Sequence, residues 1–186
     1  MEPKIDKRVA LVRSADKLFL KKGVAETTLA DIAIESSIPL GNIYYYFKRK
    51  EDIILEIIKK KTVVVNNFTE ELSKDGNPKS RLRAFVHFCL DDTLDESLKI
   101  SNILFTFVSE LPKASESVVF GMSSLLQTLT EWCAKQFLAT GRGDKSIDYA
   151  KHLMVTVQGL ILMQTSSVEF DTQPHQALLA ENLGFS

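Results

Sequence analysis

The stretch TTLADIAIESSIPLGNIYYYFKRKED, residues 27–52, decides the fold because it predicts two short helices joined by a tight turn. Thr28 is a favourable N-cap for the first helix, and Asp31 three residues later forms a weak capping box with it. This helix is expected to stop near Ser36-Ser37. The second helix begins around Pro39, because proline is tolerated in a first turn, where its missing N–H has no partner to lose. The stretch therefore predicts a helix-turn-helix.

The second short helix, residues 39–47, has one buried side and several exposed ones. Ile43 and Phe47 are four residues apart, so they lie on the same side and can pack inward. The other side chains are distributed over the exposed sides: Leu40, Asn42, Tyr44, Tyr45 and Tyr46. A helix of about eight residues is roughly 12 Å long, which is comparable with the width of the major groove of B-DNA.

The exposed side chains have the chemistry of DNA contacts. A tyrosine hydroxyl can donate to a phosphate oxygen while its ring packs on a sugar or a thymine methyl, and Asn42 can pair bidentately with adenine. Lys48 and Arg49 follow directly, and Lys50 opens a fourth helix whose N-terminus is suited to a phosphate. The alternative interpretation is an aromatic core helix followed by a solvated basic turn. The turn, the capping threonine and the basic exit together favour DNA binding.

A longer helix is expected upstream, from Ile5 to Lys22, with Gly23 ending it. Its apolar stripe at spacings of three and four consists of Val9, Leu11, Val12, Ala15, Leu18 and Phe19. Charge is also unevenly distributed along the chain. Residues 1–61 carry 13 Lys and Arg against 9 Asp and Glu, a net charge of +4, whereas residues 62–186 carry 10 against 15, a net charge of −5. A basic N-terminal part on an acidic body is weak support for a nucleic-acid partner.

Residues 8–55 resemble the tetracycline-repressor (TetR/AcrR) family of transcriptional regulators, on the motifs at 15–19, 27–33 and 39–52 and on Gly23. The resemblance implies a homodimeric, all-helical regulator. It also implies that Thr28 contacts a phosphate, that Leu40, Asn42 and Tyr45 probe base edges and methyl groups, and that Tyr44, Tyr46 and Lys50 hold phosphates. The predicted DNA-binding residues are thus Thr28, Leu40, Asn42, Tyr44, Tyr45, Tyr46, Lys48 and Lys50.

The chain departs from the family pattern at three positions. Ser37 stands where the family usually has glycine, so it is expected to take a left-handed conformation at some energetic cost. Ile38-Pro39 replaces a small polar N-cap pair, and Arg49 replaces a serine that commonly caps the fourth helix. These departures affect the fine geometry of base contacts and leave the motif in place.

The fold class predicted for the whole chain is all-α, with about nine helices in two domains. A helix-turn-helix DNA-binding domain covers residues 1–50, and a ligand-binding and dimerisation domain covers residues 51–186. The later helices are expected at about 50–72, 79–94, 98–111, 115–140, 145–168 and 174–183.

A homodimer through the last two helices, residues 145–183, is expected for two reasons. The penultimate helix is apolar on more than one side, so it needs a second partner. A single recognition helix discriminates poorly, whereas two copies about 34–36 Å apart read a palindrome of double-stranded DNA.

The middle of the chain holds the candidates for a ligand pocket: Phe85, Phe88, Phe105, Phe120, Trp132 and Gln158. Plain core packing is the simpler interpretation for any one of them. The resemblance favours a mostly apolar pocket for an unidentified apolar or amphipathic small molecule. Other possible polar anchors are His87, Asn102, Gln127 and Gln164.

Several function classes have no support in the sequence. No His/Cys cluster with metal-ligand spacing, no dinucleotide loop and no catalytic constellation appears, so no cofactor, metal or enzymatic activity is expected. Cys89 and Cys133 are interpreted as buried apolar residues, with a redox role as the alternative. No signal-like segment or membrane span is found, and a cytoplasmic location is expected.

The predicted function is a homodimeric repressor that a small-molecule inducer releases from a palindromic operator. Two alternatives remain: an activator, and a small-molecule-binding helical protein with weak or non-specific DNA binding.

Overall fold

The computed structural model describes residues 6–74, 76–91, 93–94, 98–100, 114–165 and 169–186. Within these residues the regular secondary structure is entirely helical, which confirms the predicted fold class. The α-helices are α1 (Lys7–Glu26), α2 (Leu29–Ser36), α3 (Leu40–Tyr46), α4 (Lys50–Lys74), α5 (Pro78–Leu90), α6 (Glu116–Ala139), α7 (Ser146–Thr165) and α8 (Gln173–Asn182). A short 3₁₀ helix (Gly143–Lys145) precedes α7. The helix predicted at 98–111 lies mostly outside the described residues, and the described part, 98–100, is not helical.

Helices α1 to α3 form the N-terminal head around a small apolar core. Leu11, Val12, Ala15 and Phe19 of α1 are buried as predicted, but Val9 is 48% exposed. That prediction was wrong because, at 3.6 residues per turn, Val9 lies well away from the side of the helix that carries Leu11 and Ala15. Gly23 interrupts the helix with φ 84° and ψ 161°, and one more turn, buried at Val24, follows the kink.

Helix α4 leaves the head and continues into the body without a break. Its first turns bury Ile53, Ile54, Ile57 and Ile58, and it packs against α1 and further along against α6. Gly121 of α6 packs against α4, where an added Cβ would lie in van der Waals contact with the Ile58 Cγ2 atom at 3.4 Å. The predicted domain boundary after residue 50 thus coincides with the start of a helix that contacts both parts.

The body is built around the antiparallel pair α6 and α7, with α5 and α8 packed against it. Helix α5 stops at Leu90, four residues before its predicted end. The reason is local, because the Asp91 carboxylate accepts hydrogen bonds from the backbone N–H and the hydroxyl of Thr93, at 2.9 and 2.6 Å, and so closes a turn.

The chain after α8 is held against the body. Phe185 is 1% exposed and contacts Phe137 with ring centroids 6.1 Å apart. The guanidinium of Arg142 donates to the Leu183 carbonyl at 2.8 Å, and that of Arg83 donates to the Phe185 carbonyl at 2.7 Å. Across the described helices, none has the length and hydropathy needed to cross a membrane.

Candidate nucleic-acid interface

The turn between α2 and α3 has the geometry that the sequence predicts. The Thr28 hydroxyl accepts from the Asp31 N–H at 3.2 Å, and the Asp31 carboxylate accepts from the Thr28 N–H at 2.7 Å, so the capping box is complete. Ser37 is left-handed, with φ 55° and ψ 30°, and its N–H donates to carbonyls of the last turn of α2. This conformation turns the chain so that Ile38 is buried and α3 crosses α2.

Helix α3 is attached to the head mainly by Ile43 and by Phe47, the residue that follows the helix. Ile43 and Phe47 are 0% and 2% exposed, as predicted. Pro39 is the N-cap residue and provides no side-chain hydrogen bond. On the outer side Tyr45 is 78% exposed and Tyr44 is 48% exposed.

The three tyrosines are therefore not equivalent. Tyr46 is half-buried and packs against the core of the head. Its ring contacts that of Tyr45 edge to face, with centroids 5.0 Å apart. Leu40 is 37% exposed, and Asn42 is half-buried beside it at the start of the helix. Leu40, Tyr44 and Tyr45 are thus the most exposed of the predicted contact residues of α3.

The hydroxyl of Thr28 is already used inside the protein. It donates to the Asp31 carboxylate at 2.6 Å, and the Lys22 ammonium contacts the same carboxylate oxygen at 2.8 Å. The bond from Lys22, followed by those from Thr28, holds the pKa of Asp31 far below its ordinary value. The predicted phosphate contact of Thr28, which stays a prediction, requires this hydroxyl to be shared or released.

The basic segment after α3 also has internal partners. The Lys48 ammonium donates to the Tyr44 carbonyl at 2.9 Å. The Lys50 ammonium donates to the carbonyls of Val24 and Thr27, at 2.5 and 2.8 Å, and so holds the end of α1 against the start of α4. The role of these lysines toward phosphates likewise stays a prediction.

The N-terminus of α4 is capped from within the helix. Asp52 accepts from the backbone N–H groups of Lys48 and Arg49, at 3.0 and 2.9 Å. This replaces the side-chain cap that Arg49 cannot provide, because the third residue of a helix can reach back to the N-cap backbone.

Two ion pairs between the head and α4 were missed by the sequence reasoning. Lys61 is 2% exposed and its ammonium lies 2.9 Å from the carboxylate of Asp16, which is 14% exposed. Arg8 pairs with Glu56 at 2.9 Å and lies over the Phe47 ring, 5.2 Å from its centroid. The signal for Lys61 was its spacing, because it continues the buried positions of α4 at intervals of three and four residues.

Of the described residues proposed for a ligand pocket, the structure brings Phe85 and Trp132 into contact. Phe85 is buried and packs on Trp132, with centroids 5.7 Å apart, and Phe88 stacks on Phe68 at 3.8 Å. These contacts are those of core packing. Phe120 is 76% exposed, Phe105 lies outside the described residues, and Gln158 is half-buried on α7.

Two open clefts occur elsewhere in the described body. One, of about 530 Å³, lies between the end of α5 and the segment before α8, and its lining is mostly polar, including His87, Asp91 and Gln164. The other, of about 430 Å³, lies between α5 and α8 and is lined by mostly apolar atoms. His87 and Gln164 are thus the two suggested anchors that line a cleft, and Gln164 also donates to the Leu90 carbonyl at 3.1 Å.

The cysteines behave as apolar core residues. Cys89 and Cys133 are both unbridged and buried. Burial raises the pKa of the Cys89 thiol and, together with the proximity of Cys89, that of Cys133. Across the described residues, no three or more His, Cys, Asp or Glu side chains group together so as to hold a metal ion.

Helix α7 has exposed apolar side chains on its outer side. Val155, Leu162 and Met163 are 66%, 51% and 41% exposed, and a Cβ added at Gly159, which lies among them, would meet no atom of another element within 4 Å. The described residues thus form a helix-turn-helix head on an all-helical body with an exposed apolar side of α7.

Comparison with known proteins supports the same class. Residues 11–57 match the model of the "bacterial regulatory proteins, tetR family". No curated protein shows a significant match to the chain. The confirmed resemblance is therefore to the TetR/AcrR family, through the segment that carries the helix-turn-helix.

Solved structures share the fold over nearly the whole chain. A TetR transcriptional regulator from Legionella pneumophila is 19% identical, with a TM-score of 0.84, over 99% of this chain and 98% of its own. A TetR-family regulator from Agrobacterium tumefaciens is 22% identical, with a TM-score of 0.80, over 96% of both chains. AibR, crystallised with isovaleryl coenzyme A and operator DNA, is 15% identical, with a TM-score of 0.71, over 96% of this chain and 97% of its own. The chain therefore has the fold of TetR-family transcriptional regulators.

Proposed function

We propose that this chain is a homodimeric transcriptional regulator that binds a palindromic operator through α3 and is released by a small molecule bound in the body. The observation that carries the proposal is the division of α3 into two buried anchors, Ile43 and Phe47, and an outer side of Leu40, Tyr44 and Tyr45. Exposed apolar and aromatic side chains in one patch mark a surface for a partner. AibR, which has the same fold, was crystallised with operator DNA.

The dimer is supported by the outer side of α7. A seven-residue recognition helix spans roughly 10 Å, so one copy contacts only a few base pairs and discriminates poorly. Val155, Gly159, Leu162 and Met163 form an exposed apolar stripe on α7 at helical spacing. Packing this stripe on a second copy would remove it from water and bring two heads onto one duplex.

Release by a ligand requires a connection between body and head, and α4 is suited to provide it. Its 25 residues span roughly 37 Å, and it contacts α6 both near its start, where Ile58 lies against Gly121, and near its end, where the Trp132 indole N–H donates to the Ser73 hydroxyl. A ligand acts by binding more tightly to a state in which the two heads are wrongly spaced, and its differential affinity limits the effect. The apolar cleft between α5 and α8 suits the expected apolar or amphipathic ligand.

The experiment for DNA binding is selection from a pool of random duplexes with the full-length protein. We expect enrichment of an inverted repeat whose half-site centres are about 10 base pairs, or a multiple of that, apart. Tyr45→Ala is expected to weaken binding to this duplex, whereas Val63→Ala, which removes an exposed apolar side chain from α4, leaves it unchanged. No enriched sequence with the wild-type protein would refute the proposal.

The dimer is tested by analytical ultracentrifugation of a variant whose substitution causes no clash within its own subunit. A Cβ at Gly159 meets no atom of its own chain, so Gly159→Leu leaves the subunit folded but obstructs close packing of two α7 helices. We expect the dimer to dissociate in this variant and to persist in Ser123→Leu, which adds the same side chain to an exposed position of α6. A dimer unaffected by Gly159→Leu would place the interface elsewhere.

A second candidate function, a small-molecule-binding protein with weak and non-specific DNA binding, is favoured by one observation. The Thr28 hydroxyl and the Lys50 ammonium, two predicted phosphate ligands, are engaged within the head. A small-molecule-binding protein with weak, non-specific DNA binding would bind selected and scrambled duplexes with equal affinity.

A further inference from the structure

Two of the eight glycines have no explanation within the chain. Five have positive φ, which favours glycine: Gly23, Gly76, Gly141, Gly143 and Gly184. Gly121 packs against Ile58, which an added Cβ would contact at 3.4 Å. Gly41 and Gly159 lie inside helices, and a Cβ at either would meet no atom within 4 Å. Since glycine destabilises a helix relative to alanine, another molecule is the natural reason for a missing Cβ at these two positions.

Gly41 lies in the first turn of α3, at the centre of its outer side. Tyr44 and Tyr45 follow at three and four residues, so their Cβ atoms lie about 5–6 Å from that of an added side chain. Both rings are exposed, and neither fills the space over Gly41. Leu40, the preceding residue, is 37% exposed. The open space over Gly41 on the outer side of α3, which also carries Leu40, Tyr44 and Tyr45, is called the notch below.

The notch suits a methyl group, because bare backbone lies at Gly41 and the neighbouring exposed side chains on this side of α3 are a leucine and two tyrosines. In the major groove the apolar group that projects from a base edge is the 5-methyl of thymine, which the other bases lack. A Cβ on residue 41 would occupy the position that such a methyl takes.

We propose that Gly41 is a specificity-determining residue whose missing Cβ admits the 5-methyl group of one thymine in each operator half-site. The inference rests on the proposed DNA binding through α3. It identifies the base that this part of α3 selects, a thymine, and explains why the recognition helix contains a glycine.

The first experiment removes the methyl from the DNA. The duplex enriched from the random pool is remade with deoxyuridine in place of thymine, one symmetric pair at a time, and binding to the full-length protein is measured by fluorescence anisotropy. A buried methyl corresponds to roughly a fourfold change in affinity, so one pair is expected to weaken binding about 15-fold over the two half-sites. If no replaced thymine weakens binding, the proposal is wrong even though a selected sequence confirms specific DNA binding.

The second experiment adds a methyl group to residue 41 of the protein. Gly41→Ala is expected to fold and to melt at a higher temperature, because the added Cβ meets no atom and alanine favours the helix. It should bind the thymine duplex at least tenfold more weakly than wild type, since two methyl groups then compete for one space. On the deoxyuridine duplex this loss should be largely recovered, so the preference for thymine disappears.

The matched control is Asn42→Ala on the same helix. It is expected to weaken binding while keeping the preference for thymine over deoxyuridine at the pair that responds to Gly41. Should Gly41→Ala bind like wild type, or keep the full preference for thymine, the assignment of the notch to a thymine methyl would be overturned. Failure of the wild-type protein to select any sequence would instead refute the proposed function on which it rests.

Discussion

The buried ion pair between Asp16 and Lys61 allows a prediction about how the head is held on α4. Lys61 is 2% exposed, and its ammonium lies 2.9 Å from the Asp16 carboxylate. Lys61→Met fills a similar volume but leaves a largely buried carboxylate without this partner. Removing one member of a buried pair costs about 3–5 kcal/mol, against a total stability of roughly 5–15 kcal/mol for a protein. The variant should therefore fold with a clearly reduced free energy of unfolding.

The assay is urea unfolding at fixed protein concentration, followed by circular dichroism, for the single variants and for Asp16→Leu/Lys61→Met. The double variant is expected to recover most of the lost stability, because no charge is then left buried alone. Lys17→Ala serves as the control, since Lys17 pairs with Glu35 at the surface and exposed pairs contribute little. The reasoning is refuted if Lys61→Met unfolds within 1 kcal/mol of wild type or if the two single effects simply add.

Four further predictions concern the helix-turn-helix and the start of α4. Ser37→Gly should raise the free energy of unfolding by up to about 1 kcal/mol, because a left-handed conformation strains serine but not glycine; a lower midpoint in urea would contradict this. Thr28→Ala should lower the free energy of unfolding by roughly 1 kcal/mol, because α2 loses its N-cap. The pKa of Asp31 is lowered in the folded state, so the ionised carboxylate stabilises the fold fully above the ordinary aspartate pKa, and this stabilisation declines as pH falls below it. The free energy of unfolding, measured from pH 6 to pH 2.5, should therefore depend less on pH in Asp31→Asn than in the wild type. Lys50→Met should lower the free energy of unfolding by about 1.5–3 kcal/mol, since the carbonyls at the end of α1 lose a charged donor. A melting temperature equal to that of the wild type would show that these hydrogen bonds contribute nothing to stability.

Local features of the head were predictable because they depend on neighbours in the sequence. The Thr28 cap and the inward positions of Ile43 and Phe47 follow from capping chemistry and helical periodicity, which a single chain reveals directly. The left-handed Ser37 was expected from the glycine that the resembled family usually has at this position.

Features that depend on tertiary partners were not predictable in the same way. Lys50 was assigned to phosphate from its position at a helix start, whereas its ammonium in the structure contacts carbonyls some 25 residues earlier in the chain. Phe120 was placed among the ligand-pocket candidates by residue type, yet it is 76% exposed. Which side of a helix is covered is determined by helices distant in sequence, and residue type alone does not identify them.

The central claim, sequence-specific binding of double-stranded DNA through α3, is tested most directly by one comparison. The affinity of the full-length protein for its selected palindrome and for a scrambled duplex of the same composition is measured at several salt concentrations. We expect the palindrome to bind at least about a thousandfold more tightly at physiological salt, with both affinities falling as salt rises. Equal affinity for the two duplexes at every salt concentration would contradict the claim.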